Sequence, residues 1–176
     1  MVIWLIGLSG AGKTTLGTEI VRLARQTLKH VVLLDGDAIR EAFGNDLGHT
    51  NEDRRKNAMR ICQLGKFLDT QGIHVVVGIL SIFRESREWN RQNLPEYYEV
   101  FIDTPMNILE SIDYKGLYCR AKAGEITDVA GIDLHFPRPS NPDLVISNAD
   151  GIEALLSHAP HLVEVIKESE NRRPTS

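Results

Sequence analysis

The stretch Gly7-Leu8-Ser9-Gly10-Ala11-Gly12-Lys13-Thr14 constrains this chain more than any other. It follows an apolar run, Val2-Ile3-Trp4-Leu5-Ile6, and leads into Thr15-Leu16-Gly17-Thr18-Glu19-Ile20-Val21, which reads as a helix. The stretch fits G-x-x-x-x-G-K-[ST], a pattern that marks a phosphate loop when a strand precedes it and a helix follows. Glycines let such a loop turn through conformations closed to other residues and bring its N–H groups against phosphate oxygens. The helix start adds the positive end of its dipole. Lys13 is placed to bridge the β- and γ-phosphates of a nucleotide, and Thr14 to hold Mg²⁺. A Gly-rich turn followed by a chance Lys-Thr is the competing reading, and it leaves the flanking strand and helix unexplained. Gly7, Leu8, Ser9, Gly10, Ala11, Gly12, Lys13, Thr14 and Thr15 are therefore assigned to a donor nucleotide.

Strand and helix patterns alternate along the rest of the chain. Apolar strands are expected at residues 2–6, 31–34, 74–80, 98–102 and 144–146. Between them, helices are expected at 13–28, 38–43, from Thr50 or Asn51 to about Thr70, at 84–94 and from Pro105 to about Tyr114. A last helix runs from Gly151 to about Ser169. Residues 115–142 carry Gly116, Gly124, Gly131, Pro137, Pro139 and Pro142 without a clean period, the pattern of a loop or lid. Continuous apolar strands between helices predict an α/β fold with a five-stranded parallel sheet covered on both faces, the three-layer fold of P-loop nucleotide triphosphatases. Residues 1–170 read as one domain, with 171–176 a disordered tail.

With 176 residues the chain can bury a proper core, and its net charge of -4 gives no sign of a nucleic-acid partner. No apolar run is long enough to span a bilayer. Cys62 and Cys119 lie far apart without metal-ligand spacing, so free thiols in a cytoplasm are expected.

Ligands of parallel sheets sit at the carboxyl ends of the strands, and the chemistry-bearing residues of this chain follow those ends. Asp35-Gly36-Asp37 ends the second strand, where two carboxylates facing a phosphate loop can orient Mg²⁺ or take the proton of an attacking hydroxyl. An Asp-capped turn is the plainer reading, but the neighbouring loop favours function. Arg40 lies one turn beyond Asp37. On the long helix Arg54 and Asn57 share a face, suited to an anion and a sugar or base, whereas Arg55 and Lys56 read as a solvated face. No Asn-Lys-x-Asp element of a guanine-reading switch is present. A small chain with a long lid points to a kinase of a small molecule, whose lid keeps water from the γ-phosphate.

At this point the chain resembles the adenylylsulfate kinase (APS kinase) family. The matching stretches are Trp4 to Thr15, Leu34-Asp35-Gly36-Asp37 with Arg40, and Asp46-Leu47-Gly48 followed by Asp53-Arg54 and Asn57. Further on come Lys115-Gly116-Leu117-Tyr118, Ala123-Gly124-Glu125-Ile126 and Gly131-Ile132-Asp133. The resemblance implies transfer of the ATP γ-phosphoryl group to the 3′-hydroxyl of adenylylsulfate, giving PAPS and ADP in sulfate assimilation. It implies Lys13, Asp37, Lys115 and Ser81 as the catalytic set, Ser81 standing at a position sometimes described as a phosphoserine. Thr14 and Asp37 are the implied metal residues. Asp35, Arg40, His49, Arg54, Asn57, Leu80, Ser81, Lys115, Gly116, Leu117 and Phe136 are the implied acceptor residues, with Phe136 stacking on the acceptor base. Arg120 and Lys122 fall in the lid, and a homodimer is expected.

The chain departs from the family pattern around that base. His49-Thr50 stand where Phe-Ser is usual, Ile82-Phe83 where Pro-Tyr is usual, Asp128-Val129-Ala130 where Gly-Phe-Thr is common, and Tyr114 where Pro is usual. The alternative acceptor is another nucleotide-like mixed anhydride, such as cytidine diphosphoramidate. A non-enzymatic ATP-binding module is the reading from a different class.

Overall fold

Strand β1 (Val2–Ile6) shows how the layers form. Its five side chains alternate across the sheet and all are fully buried, so both faces are covered. Ile3 and Leu5 join a core with Leu16, Ile20, Leu109 and Leu162, while Val2, Trp4 and Ile6 join one with Ile61, Cys62 and Phe101. The computed structural model describes residues 1–113 and 115–172.

The other strands are β2 (Val31–Asp35), β3 (His74–Ile79), β4 (Tyr97–Asp103) and β5 (Leu144–Ser147). They form one five-stranded sheet in the order β2-β3-β1-β4-β5, parallel throughout. Helix α1 (Lys13–Ala24) follows β1, and α2 (Gly36–Ala42) and α3 (Asn51–Thr70) follow β2. Helix α4 (Arg84–Asn93) follows β3, and α5 (Met106–Ile112) follows β4. All ten of these elements stand where the apolar pattern put them, within a few residues.

The differences have local causes. Helix α1 stops at Ala24, where the N–H groups of Gln26 and Thr27 tighten onto the Leu23 and Ala24 carbonyls. Within 115–142, expected to lack regular structure, Leu117–Lys122 forms helix α6, because Asp113 accepts from the Leu117 and Cys119 N–H groups at 2.8 and 3.0 Å and caps its first turn. The last helix is two, α7 (Ile152–Leu156) and α8 (Ala159–Arg172). Pro160 cannot continue α7, since its ring would strike the Leu156 carbonyl, but it is tolerated in the first turn of α8. Helix α8 covers the first two residues of the expected tail. Tyr114 and residues 173–176, which the sequence reading placed at a helix end and in a tail, lie outside the described residues.

Candidate active site

The chain leaves β1 through Gly7–Gly12 and enters α1. A Cβ on Gly7 would sit 2.9 Å from the Ile102 carbonyl oxygen of the neighbouring strand. At Gly12 the backbone is left-handed, φ +90°, and a side chain would strike Leu155. Neither position accepts another residue without moving backbone or core.

The loop is held from behind by its carbonyls. The Leu8 carbonyl accepts from the Ala11 N–H at 3.2 Å and from Lys13 Nζ at 2.7 Å. The Tyr118 hydroxyl donates to the Ser9 carbonyl at 2.7 Å, and Asn148 Nδ2 donates to the Ala11 carbonyl at 3.2 Å. With these carbonyls turned back, the opposite side of the loop presents N–H groups, joined by the unpaired first-turn donors of α1. Desolvation inside this nest lowers the Lys13 pKa to about 8, against the pull of Asp35 and Asp37. Tyr118 and Asn148 were not singled out as site residues. Tyr118 lies inside a matched stretch, and Asn148 is an amide directly after the last strand, the one signal that could have found it.

Asp35 ends β2 and caps α2: its Oδ1 accepts from the Asp37 and Ala38 N–H groups, and its Oδ2 accepts from the Thr14 hydroxyl at 2.6 Å. Asp37, in the first turn of α2, instead meets Lys115 Nζ at 3.1 Å. Capping α2 thus fixes the Asp35 carboxylate beside the Thr14 hydroxyl and leaves Asp37, expected with Thr14 at the metal, facing the lid. The Lys115–Asp37 pair is largely exposed, and such a pair adds less than about 1 kcal/mol to stability.

Arg40 donates to the Leu47 and Gly48 carbonyls at 3.2 and 2.7 Å. Arg54 donates to the His49 carbonyl at 2.7 Å and to the Asp128 carbonyl of the lid at 2.9 Å. Neither guanidinium forms an ion pair among the described residues, although Asp128, Asp133 and Asp37 attract Arg54 from further off. Burial, then Arg40 and Arg54, hold the His49 pKa below the ordinary imidazole value, so the ring stays neutral at pH 7. Asn57 is buried on the same side of α3, and its Oδ1 has no hydrogen-bond partner among the described residues. Leu80 is half-buried at the end of β3.

Two further expected residues pack against aromatic neighbours. Ser81 is 3% exposed; its hydroxyl accepts from the Trp4 indole at 3.1 Å and its carbonyl from Arg87 at 2.5 Å. Its φ of +54° is a strained, left-handed backbone conformation. Phe136, expected on the acceptor base, stacks on Phe101 at a centroid separation of 6.1 Å. With Leu8, Met106 and Arg138 it lines a cavity of about 170 Å³ at the end of β4. Gly116, left-handed at φ +60°, starts α6, and Leu117 packs against the core.

A phosphate loop at the first strand, a hydroxyl–carboxylate pair beside it and a cationic wall opposite define a P-loop kinase. More closely, the chain belongs to the adenylylsulphate kinase family, whose model matches residues 1–147. It is 41% identical over 162 residues to the adenylyl-sulfate kinase of Deinococcus deserti, covering 89% of this chain and 90% of that one. It is 39% identical over 148 residues to the cytidine diphosphoramidate kinase of Campylobacter jejuni, covering 84% of this chain and 86% of that one. Against the bifunctional enzyme NodQ of Rhizobium meliloti, 40% identical, it spans 23% of that protein's length. The fold superposes on the Mycobacterium tuberculosis APS kinase CysC, solved with AMPPNP and APS, with a TM-score of 0.84, 34% identity, and coverage of 94% of this chain and 96% of that one. No helix among the described residues is long and apolar enough to cross a membrane.

Proposed function

We propose that the chain transfers the γ-phosphoryl group of ATP to the 3′-hydroxyl of adenylylsulfate, giving PAPS and ADP. The observation that carries this reading is the Lys115–Asp37 contact, which joins residues 78 apart in sequence beside the phosphate loop. Phosphoryl transfer asks for alignment and charge neutralisation more than for covalent chemistry. Asp37 accepts the proton of the attacking hydroxyl, and Lys115 neutralises charge on the moving group. Lys13 exchanges the Leu8 carbonyl for the β- and γ-phosphates. Arg40 and Arg54 bind the acceptor's sulfate–phosphate anhydride, and Asn57 offers its unpartnered carbonyl oxygen to the sugar or base. Residues 1–170 act as one kinase domain, with 115–142 as the lid.

Thr14 Oγ1 and Asp35 Oδ2 are hard oxygen donors in contact, the set that suits Mg²⁺, which takes few protein ligands and completes its shell with water and phosphate oxygens. Bound there, Mg²⁺ would supply charge neutralisation at the β- and γ-oxygens. The same reading makes the chain a cytoplasmic enzyme of sulfate assimilation that works as a homodimer, which light scattering in solution tests.

His49 favours a second reading, in which the acceptor is a cytidine compound such as cytidine diphosphoramidate. A neutral imidazole offers a base one donor and one acceptor, where a Phe ring offers only a face. Release of ADP, measured with adenylylsulfate, cytidine diphosphoramidate and simple nucleotides as acceptors, decides between them. We expect turnover with adenylylsulfate, and activity with the cytidine compound alone overturns it. His49→Phe keeps or lowers the KM for adenylylsulfate; a rise of tenfold or so in the KM for the cytidine compound, on the order of one lost hydrogen bond, points to the pyrimidine.

A further inference from the structure

Tyr118 ties the lid to the loop that holds the donor phosphates. Its ring is 2% exposed, in the same core as Leu16 and Leu109, and its hydroxyl donates to the Ser9 carbonyl at 2.7 Å. It sits three residues after Lys115, which reaches Asp37 on the acceptor side. The short run between them has little freedom: Gly116 is fixed in a left-handed turn, and the Asp113 carboxylate holds the N–H groups of Leu117 and Cys119. One side of this run is thus anchored in the donor loop while the other carries an exposed cation across to the Asp37 carboxylate. An exposed Lys–Asp pair does not hold its own geometry, so the placement of Lys115 must come from its anchor.

We propose that Tyr118 is a positioning residue for phosphoryl transfer: by binding the Ser9 carbonyl it sets Lys115 opposite Asp37 and makes that placement depend on an ordered donor loop. Phosphates in the nest order the backbone from Ser9 to Gly12, and with it the carbonyl that Tyr118 grips. This inference rests on the kinase reading above, and two measurements separate the failure of one from the failure of the other.

The first is a double-mutant cycle of Tyr118→Phe and Lys115→Ala, read by ADP release with adenylylsulfate and with cytidine diphosphoramidate. Tyr118→Phe lowers kcat on the order of tenfold, with the KM for ATP within about twofold. In the Lys115→Ala background the same change costs nothing further. Equal losses in both backgrounds, or an unchanged kcat with only a lowered Tm, overturn the proposal. The second needs no acceptor. A non-hydrolysable ATP analogue slows tryptic cleavage after Lys115, Arg120 and Lys122 in the wild type, and fails to do so in Tyr118→Phe even though calorimetry detects the analogue bound. Equal protection in both proteins overturns the proposal. A wild type that turns over neither acceptor sinks the kinase reading, and the digestion still decides the role of Tyr118.

Discussion

Lys13 carries two opposed demands. It must be charged to bind phosphate, yet the nest strips it of water and lowers its pKa to about 8. The sign of the consequence follows. Above pH 8 the unliganded lysine loses its proton, while bound phosphates favour the charged form, so ATP binding at pH 8.5 takes up a proton. Calorimetry of ATP binding in buffers of different ionisation enthalpy measures that uptake; a binding heat independent of buffer contradicts it. In Lys13→Ala the uptake vanishes, and phosphoryl transfer with it, while the far-ultraviolet dichroism of the fold stays. Lys13 and its loop were legible in the sequence because their function is written in backbone chemistry that only glycine supplies. The surroundings of Ser81 were not, because Trp4 and Arg87 lie in other elements, and no spacing announces that its hydroxyl accepts from an indole.

At the level of elements, α3 carries Arg54 and Asn57 and is started by Thr50, whose hydroxyl accepts from the Asp53 N–H at 3.2 Å. Thr50→Ala leaves that donor without its cap and costs about 1 kcal/mol. The urea midpoint falls with an unchanged slope, and an unaltered midpoint removes the cap from the account. The start of this helix was readable from Thr50 followed by Glu52 and Asp53. The start of α6 was not. Its cap comes from Asp113 at the far end of the preceding helix, and the left-handed Gly116 looks in sequence like one more loop glycine. The split between α7 and α8 was not read either, although Pro160 interrupts the apolar spacing at that point.

For the molecule as a whole, a ligand that binds only the folded state stabilises it by mass action. ATP at a hundred times its Kd adds about 2.7 kcal/mol, a rise in Tm of roughly 5–10 °C for a chain of this size. Thermal unfolding with and without ATP measures it. Lys13→Ala abolishes most of the shift without lowering the Tm of the free protein by more than a few degrees, and a wild type that does not respond to ATP contradicts the assignment of the nest. The sheet itself was legible because its inner strands β1 and β3 are buried on both faces and every strand carries an apolar run. The order β2-β3-β1-β4-β5 was not, since every strand looks alike from its own residues. That order has a consequence for how the protein is made. Strand β1 is central, yet its partners β3 and β4 begin at His74 and Tyr97. On the ribosome, Val-Ile-Trp-Leu-Ile leaves the exit tunnel before either partner and waits for about 100 more residues until both are made, roughly five to twenty seconds of translation. During that interval the stickiest segment of the polypeptide is a nascent edge, and its safe passage falls to the machinery that shields growing chains.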